Sequence, residues 1–248
     1  MSAAILAVED IAVRFGGVVA VDGVSFSVAP GELVGLIGPN GAGKTTVMRA
    51  IVGIVEPQAG SIRLAGAPLD GLPVEARVRR GLALSQQLVR PFRMASVLDN
   101  VVLAAGGAVT ARPWRALITR DATAMSARAR AALDRVGIAV HADKSPATLP
   151  LGVLKRLEMA RALVLEPRLL LLDEPLAGLN SREAHALAAT IAEINAAGVT
   201  TVLIEHNLTQ VMRVCRRLVV LDNGRKIADG DPRAVMAEPA VRAAYLGH

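Results

Sequence analysis

The stretch Gly38-Pro39-Asn40-Gly41-Ala42-Gly43-Lys44-Thr45-Thr46 fits G-x-x-x-x-G-K-[ST] at every fixed position. It constrains the fold more than any other segment, because the pattern has meaning only between a buried strand and a helix. Glu32 to Ile37 reads as that strand and Thr45 to Val52 as that helix. In such a setting backbone N–H groups wrap a phosphate chain. Glycines permit positive φ and close approach, and the helix N-terminus faces the anion. Lys44 is then placed to reach the β- and γ-phosphates, and Thr45 offers a hydroxyl to Mg²⁺.

A second signal lies far along the chain. Leu169-Leu170-Leu171-Leu172-Asp173 is a continuous apolar run ending in an acid, as expected of a parallel strand covered on both faces. An acidic residue at the carboxyl end of such a strand faces the crevice where ligands bind in α/β sheets. Asp173 is a candidate Mg²⁺ ligand, and Glu174 is a candidate general base for an attacking water. The next buried run, Thr200 to Ile204, is followed by Glu205-His206. His206 is either a structural histidine or a group on the same edge that contacts the γ-phosphate or orients the water.

The remaining sequence builds a frame around these motifs. Ile11, Val13 and Phe15, and then Val24, Phe26 and Val28, alternate as half-buried strands do. Gly60 to Gly66 and Leu82 to Ser85 read as further strands, and Pro73 to Arg80 as a short helix. Between them and the apolar run, Ser96–Ala105, Asp121–Val136 and Val153–Leu165 carry helical periodicity. They predict a helical lobe with an irregular insertion at Gly106–Thr119, in which Trp114 serves as a packing anchor. Ser181 is expected to cap a helix reaching Asn195. Asn207–Cys215 is expected to be helical, Asn223-Gly224 to turn a hairpin, and Val241–Leu246 to form a short terminal helix. One cysteine, Cys215, excludes an internal disulfide or zinc cluster and fits a reducing cytosol. Met1 to Asp10 lacks the features of a signal peptide, and Ala95 to Ala111 carries Asp99 and Gly106-Gly107, unlike a membrane span. The net charge of +6 is dispersed along helices rather than gathered in one block.

Taken in order, these motifs resemble the ATP-binding subunits of ABC transporters, most closely those of branched-chain amino acid importers. The resemblance covers essentially the whole chain. It is carried by Val13–Gly17, the phosphate loop, Leu157–Arg161, Glu174–Asn180, Ile204–Asn207, Lys226–Gly230 and Ala244–Gly247. It implies an α/β fold with a P-loop NTPase (RecA-like) core, an antiparallel β subdomain and an inserted α-helical lobe. Residues 1–87 and 167–230 would form the core with its β subdomain, 88–166 the lobe and 231–248 a tail. ATP and Mg²⁺ are the implied ligands. Phe15 would stack on adenine with Val21 beside it, and Gly38, Pro39, Asn40, Gly41, Ala42, Gly43, Lys44, Thr45 and Thr46 would hold the phosphates. Gln87, preferred to Gln86 on spacing, would join Thr45 and Asp173 at Mg²⁺. Glu174 would be the general base and His206 the γ-phosphate switch.

The family's signature loop corresponds to Leu149-Pro150-Leu151-Gly152-Val153, where only Leu149 and Gly152 follow the usual Leu-Ser-Gly-Gly-Gln. Gly152 would still face the nucleotide of a partner subunit. Asn180 replaces the usual Asp. The implied partners are a second ATPase subunit, a copy or a paralogue, and transmembrane permeases docked near Arg90-Pro91-Phe92-Arg93. An external solute-binding protein is implied indirectly. The implied location is the cytoplasmic face of the membrane. Two rival readings are an ATPase acting on nucleic acid and a regulatory subunit with weak hydrolysis. The chain lacks the aromatic-rich basic platform that stacks bases, and nucleic acid is not an expected partner.

Overall fold

The computed structural model describes residues 4–85, 91–106 and 119–246. The strand before the phosphate loop, β3 (Leu33–Ile37), is buried at all five positions. Its burial follows from its neighbours. It runs parallel to β8 (Thr200–Ile204) on one side and to β9 (Arg217–Asp222) on the other. β8 pairs in parallel with β7 (Leu169–Asp173), and β7 with β6 (Leu82–Ser85). β10 (Arg225–Gly230) closes the opposite edge, antiparallel to β9. The turn between them has Asn223 and Gly224 both at positive φ, 45° and 76°, as an Asn-Gly hairpin requires.

Both faces of this sheet are covered, which explains its unbroken apolar runs. Leu170 and Leu172 join a core with Leu157 of α5 (Leu151–Leu163), Leu187 and Ile191 of α6 (Ser181–Ala196) and Val211 of α7 (Leu208–Val214). Leu169 and Leu171 point the other way. They join a core with Val47 and Ile51 of α1 (Lys44–Val52) and with Ile11 and Phe26 of a second sheet. Each fully buried leucine contributes about 2 kcal/mol from apolar surface removed from water. The second sheet is antiparallel, ordered β2 (Val18–Val28), β1 (Leu6–Phe15), β4 (Ala59–Leu64), β5 (Ala67–Pro68). On the α5 side, α3 (Val97–Gly106) and α4 (Thr119–Arg135) pack with α5 through Val97, Val101, Leu133 and Leu157. Among the described residues no helix is long and apolar enough to cross a membrane.

The helix after the phosphate loop is fixed at its far end. Gly53 leaves it at φ 86°, the left-handed exit that glycine favours. Arg77, in α2 (Val74–Arg79), is 3% exposed and donates to Ala50 O at 2.7 Å and Ile51 O at 2.9 Å. A cation on these last carbonyls matches the negative end of the helix dipole.

Four details differ from the sequence expectation. The cap of α6 is Asn180, not Ser181. Asn180 Oδ1 accepts from Glu183 N–H at 2.9 Å, and Glu183 Oε2 accepts from Asn180 N–H at 3.2 Å, a reciprocal capping box. α5 begins at Leu151 rather than Val153, because Pro150, at φ −66°, is preset to precede a helix. A helix not foreseen, α8 (Pro232–Ala237), follows Asp231. That carboxylate accepts from Arg233 and Ala234 N–H, and Pro232 occupies the first turn. α9 (Pro239–Leu246) starts earlier than its apolar residues indicated. Trp114 lies outside the described residues.

Arg217 joins the two sheets. It binds Asp229 through both carboxylate oxygens, at 2.7 and 3.0 Å, and reaches Ser27 O of β2 at 3.0 Å and Glu32 Oε1 at 3.3 Å. Burial alone would push the Asp229 carboxyl up, but its bonds to Arg217 and Lys226 outweigh this and hold it below its ordinary value. Its stabilising contribution is therefore present above the unfolded carboxyl's titration and lost as pH falls through the lower folded value. Arg217→Ala is expected to lower unfolding free energy by about 2 kcal/mol near neutral pH. In urea titrations the gap from the parent should narrow only below about pH 4. An unchanged midpoint at neutral pH would exclude this role.

Candidate nucleotide-binding site

The register of the parallel strands sets the site. Leu36 of β3 and Asp173 of β7 both pair with Ile204 of β8, so the three strands end at one level. β8 lies between the other two. The phosphate loop, the Asp173-Glu174 pair and Glu205-His206 therefore leave the sheet side by side.

The loop itself depends on glycine. Gly38, Gly41 and Gly43 have φ of 149°, 82° and 99°, a region that disfavours residues with a Cβ. A Cβ on Gly43 would stand 2.6 Å from Ala20 O, and one on Gly38 would run into Leu221 O. The resulting cavity, about 200 Å³, is lined by Ala20, Asn40 to Thr46 and Glu174. Lys44 is 6% exposed, and its Nζ donates to Gly38 O at 2.7 Å and Pro39 O at 2.8 Å. Burial lowers the Lys44 pKa, opposed by the charges of Glu174 and Asp173. Asp173 moves the other way. Burial and then the neighbouring Glu174 raise its pKa, against Arg49, Lys44 and Lys155. The site thus concentrates both signs of charge in a partly dry cleft.

Glu174 is held at φ 47° although it is not glycine, and such strain concentrates at functional positions. Its side chain is 20% exposed, and Oε2 lies 3.8 Å from His206 Nδ1. The imidazole is 58% exposed and stands beside Glu174, just outside the residues that line the cavity.

The other expected residues fall at differing distances from this cleft. Phe15 ends β1 and is half exposed. Val21 is fully buried, beneath the point where a Gly43 Cβ would stand. Its neighbour Ala20 is the residue that lines the cavity. Gly152 sits in the first turn of α5, where a Cβ would meet Glu183 Oε1 at 3.4 Å. Pro150 precedes that helix with no side-chain cap. Gln86, Gln87 and Arg90 lie outside the described residues. Phe92 is exposed, with the Arg161 guanidinium 5.6 Å from its ring. Sequence reading missed Ala20, which carries no chemical signature. It also passed over Glu205, which is fully buried; a carboxylate directly after an apolar strand was the available signal.

Gly38→Ala is expected to weaken ATP binding by about tenfold or more and to lower the melting temperature. A fluorescent-nucleotide titration and a thermal scan would test this, and parent-like values in both would mean that the loop tolerates a Cβ.

Comparison with known proteins identifies the family. The ABC transporter family matches residues 21–177, and the family described as branched-chain amino acid ATP-binding cassette transporter matches residues 225–248. The chain is 39% identical to the high-affinity branched-chain amino acid transport ATP-binding protein LivG of Salmonella typhimurium, over 100% of this chain and 99% of that protein. Identity and coverage are the same for the corresponding protein BraF of Pseudomonas aeruginosa. The lipopolysaccharide export system ATP-binding protein LptB of Acidithiobacillus ferridurans is 35% identical, over 92% of this chain and 91% of its own length. Among solved structures, an ATP-binding cassette of an ABC transporter in its ADP conformation gives a TM-score of 0.87 over the full length of both chains, at 29% identity. A nucleotide-free cassette gives the same TM-score at 28% identity, over 99% of this chain and all of that one. A chain that folds in this way from end to end, and matches the family over residues 21–177, belongs to the ABC transporter family as one of its ATP-binding cassette ATPases.

Proposed function

We propose that this subunit hydrolyses ATP to drive uptake of branched-chain or other amino acids, pairing with a second ATPase subunit beneath transmembrane permeases. The observation that carries the chemical part is the approach of Glu174 and His206 at the rim of a cavity walled by the phosphate loop. Support for the amino-acid class comes from the full-length similarity to LivG and BraF and from the tail match at residues 225–248.

The triphosphate lies along Gly38–Thr46, with loop N–H groups and the α1 dipole facing its oxygens. Lys44 holds β- and γ-oxygens. Phe15, half exposed at the end of β1, stacks on adenine, and Val21 supports the loop from below. Thr45 and Asp173 supply hard oxygen donors. Among the described residues no group of three or more His, Cys, Asp or Glu could enclose a metal. A donor set this small fits Mg²⁺, which takes one or two carboxylates and completes its shell with water and phosphate oxygens. Thr45 and Asp173 would hold the ion, which would supply charge neutralisation to the phosphates. Gln87 is the proposed third contributor by sequence position. The Glu174 carboxylate accepts a proton from the water that attacks the γ-phosphorus, and ADP leaves in line. His206 donates to the γ-phosphate and reports its presence to β8 and α7.

The site is completed by the partner subunit's signature segment, as this chain's Leu149–Val153 completes the partner's. Pro150 has neither hydroxyl nor N–H, so that contact falls to Gly152 and the α5 N-terminus. This asymmetry favours a paralogue with a fuller signature over a second copy. The permease meets the exposed Phe92 and Met94.

Glu174→Gln is expected to abolish turnover, by about a thousandfold, while ATP still binds and a closed dimer accumulates. Lys44→Ala is expected to lose nucleotide affinity itself. Phosphate release and nucleotide titration separate the two, and unchanged hydrolysis in Glu174→Gln removes the general-base assignment. Very low turnover in the parent even with its partner present would instead favour the regulatory reading. Phe92→Asp is expected to impair co-purification with the permease while basal ATP binding stays intact; normal assembly would move the docking site elsewhere.

A further inference from the structure

Two buried charged side chains outside the cavity act on the short segment that carries Glu174. Lys155, in the second turn of α5, is 5% exposed, and its Nζ donates to the main-chain oxygen of Glu174 at 3.3 Å. Glu205, directly after β8, is fully buried, and its Oε1 accepts from Leu176 N–H at 2.7 Å. Pro175, between these two points, has no N–H to offer. Glu174 N–H donates to Ile204 O at 3.0 Å, and the turn that follows adds Ala177 N–H on Glu174 O and Leu179 N–H on Leu176 O, each at 3.2 Å. The segment 174–176 is therefore tied to α5, to β8 and to the residue following β8.

Such tethering is what the backbone at Glu174 requires. A non-glycine residue at φ 47° costs on the order of 1 kcal/mol or more and persists only where its surroundings over-determine it. The choice of charged residues is informative as well. Burying an ammonium and a carboxylate is costly unless each meets opposite charge and hydrogen bonds. Burial lowers the Lys155 pKa, and Glu205 is the strongest of the carboxylates opposing that, ahead of Glu174, Asp173 and Glu158. Burial raises the Glu205 pKa, opposed by the Leu176 N–H bond, by His206 and by the Asn207 backbone, and its Oε2 has no hydrogen-bond partner among the described residues. Lys155 thus has the Glu205 carboxylate as its strongest opposite charge, across the segment both hold.

We infer that Lys155 and Glu205 are positioning residues for ATP hydrolysis: together they clamp Glu174-Pro175-Leu176 so that the Glu174 carboxylate stays aimed into the cavity. The inference rests on the reading of Glu174 as general base. It also gives α5 a direct line to the chemistry. The first turn of α5 contains Gly152, proposed to contact the partner's nucleotide, and Lys155 follows in the next turn. A shift of α5 on dimer closure moves Lys155, the one of the two donors at Glu174 O that comes from outside the local turn, and with it the carboxylate.

The test is steady-state ATP turnover and nucleotide affinity in the full-length chain with its partner ATPase. The variants are Lys155→Met, Lys155→Arg, Glu205→Gln and the Met/Gln double, with Glu174→Gln as reference. Lys155→Met should lower kcat on the order of 10- to 100-fold, with KM and nucleotide affinity within about twofold of the parent. Lys155→Arg should restore most of kcat, because it keeps the charge and a donor. The double variant should be no worse than the poorer single, since both act on one segment. A kcat within about twofold of the parent in Lys155→Met overturns the inference. So does Lys155→Arg as slow as Lys155→Met, or a parallel fall of kcat, affinity and melting temperature, which is the mark of general structural support. Should Lys155→Met fail to fold, parent-like kcat in both Lys155→Arg and Glu205→Gln overturns it equally. If Glu174→Gln still hydrolyses ATP, the general-base reading fails first. If only the Lys155 and Glu205 variants are parent-like, that reading stands and the clamp alone is lost.

Discussion

The parallel alignment of β3, β8 and β7 is the constraint on which the rest of the molecule depends. These strands are apolar on both faces because helices cover one side and α1 with the β subdomain covers the other. Polar chemistry is excluded from their length and appears where they end. Leu36, Ile204 and Asp173 share a level in the register. A slip by one residue would turn every side chain of a strand to the opposite face. The same packing that stabilises the sheet thus fixes, to within one residue, which groups emerge beside the phosphate loop.

Backbone conformation then sharpens what register only brings near. Gly38, Gly41 and Gly43 take positive φ, and Gly38 and Gly43 lie against the carbonyls of Leu221 and Ala20. The cavity wall is therefore main chain rather than side chain, which suits an anion held by N–H groups. Glu174 shares the left-handed region without being glycine. The loop achieves its shape by lacking Cβ atoms, whereas Glu174 achieves its own through tethers from α5 and β8. These are two solutions to the same demand for an unusual backbone beside a ligand, and the second needs help from distant residues.

This division also explains what could be read from the sequence. The phosphate loop, the run Leu169–Asp173 with Glu174, and the Asn223-Gly224 hairpin are local patterns, and each element forms where its pattern lies. α8 was missed because Pro232 reads as a breaker until Asp231 is recognised as its cap. The cap of α6 shifted from Ser181 to Asn180 because the reciprocal partner, Glu183, selects the residue three before it. Lys155 carried no local signal, and Glu205 only that of a carboxylate directly after an apolar strand. Their role exists only when a helix from the middle of the chain and a strand end fifty residues later meet over one carbonyl and one amide. Such a constellation is visible in space and not in spacing. Val21 shows the reverse case: it was expected beside Phe15 at the adenine, but its full burial puts it under Gly43 rather than at the cavity surface.

The departure at Pro150 acquires a physical meaning from the same geometry. Proline removes a hydroxyl and an N–H from the segment that a partner's nucleotide would meet, yet its fixed φ prepares the start of α5 one residue later. The amides of Leu151 and Gly152, at the open end of that helix, keep their orientation along its dipole. What is lost is a directed contact, while the mechanical link from the first turn through Lys155 to Glu174 is kept. A signature segment of this kind is better suited to transmitting closure than to stabilising charge. In the proposed pairing the stronger electrostatic contribution then has to come from the opposite subunit, and the two composite sites would differ in what each asks of this chain.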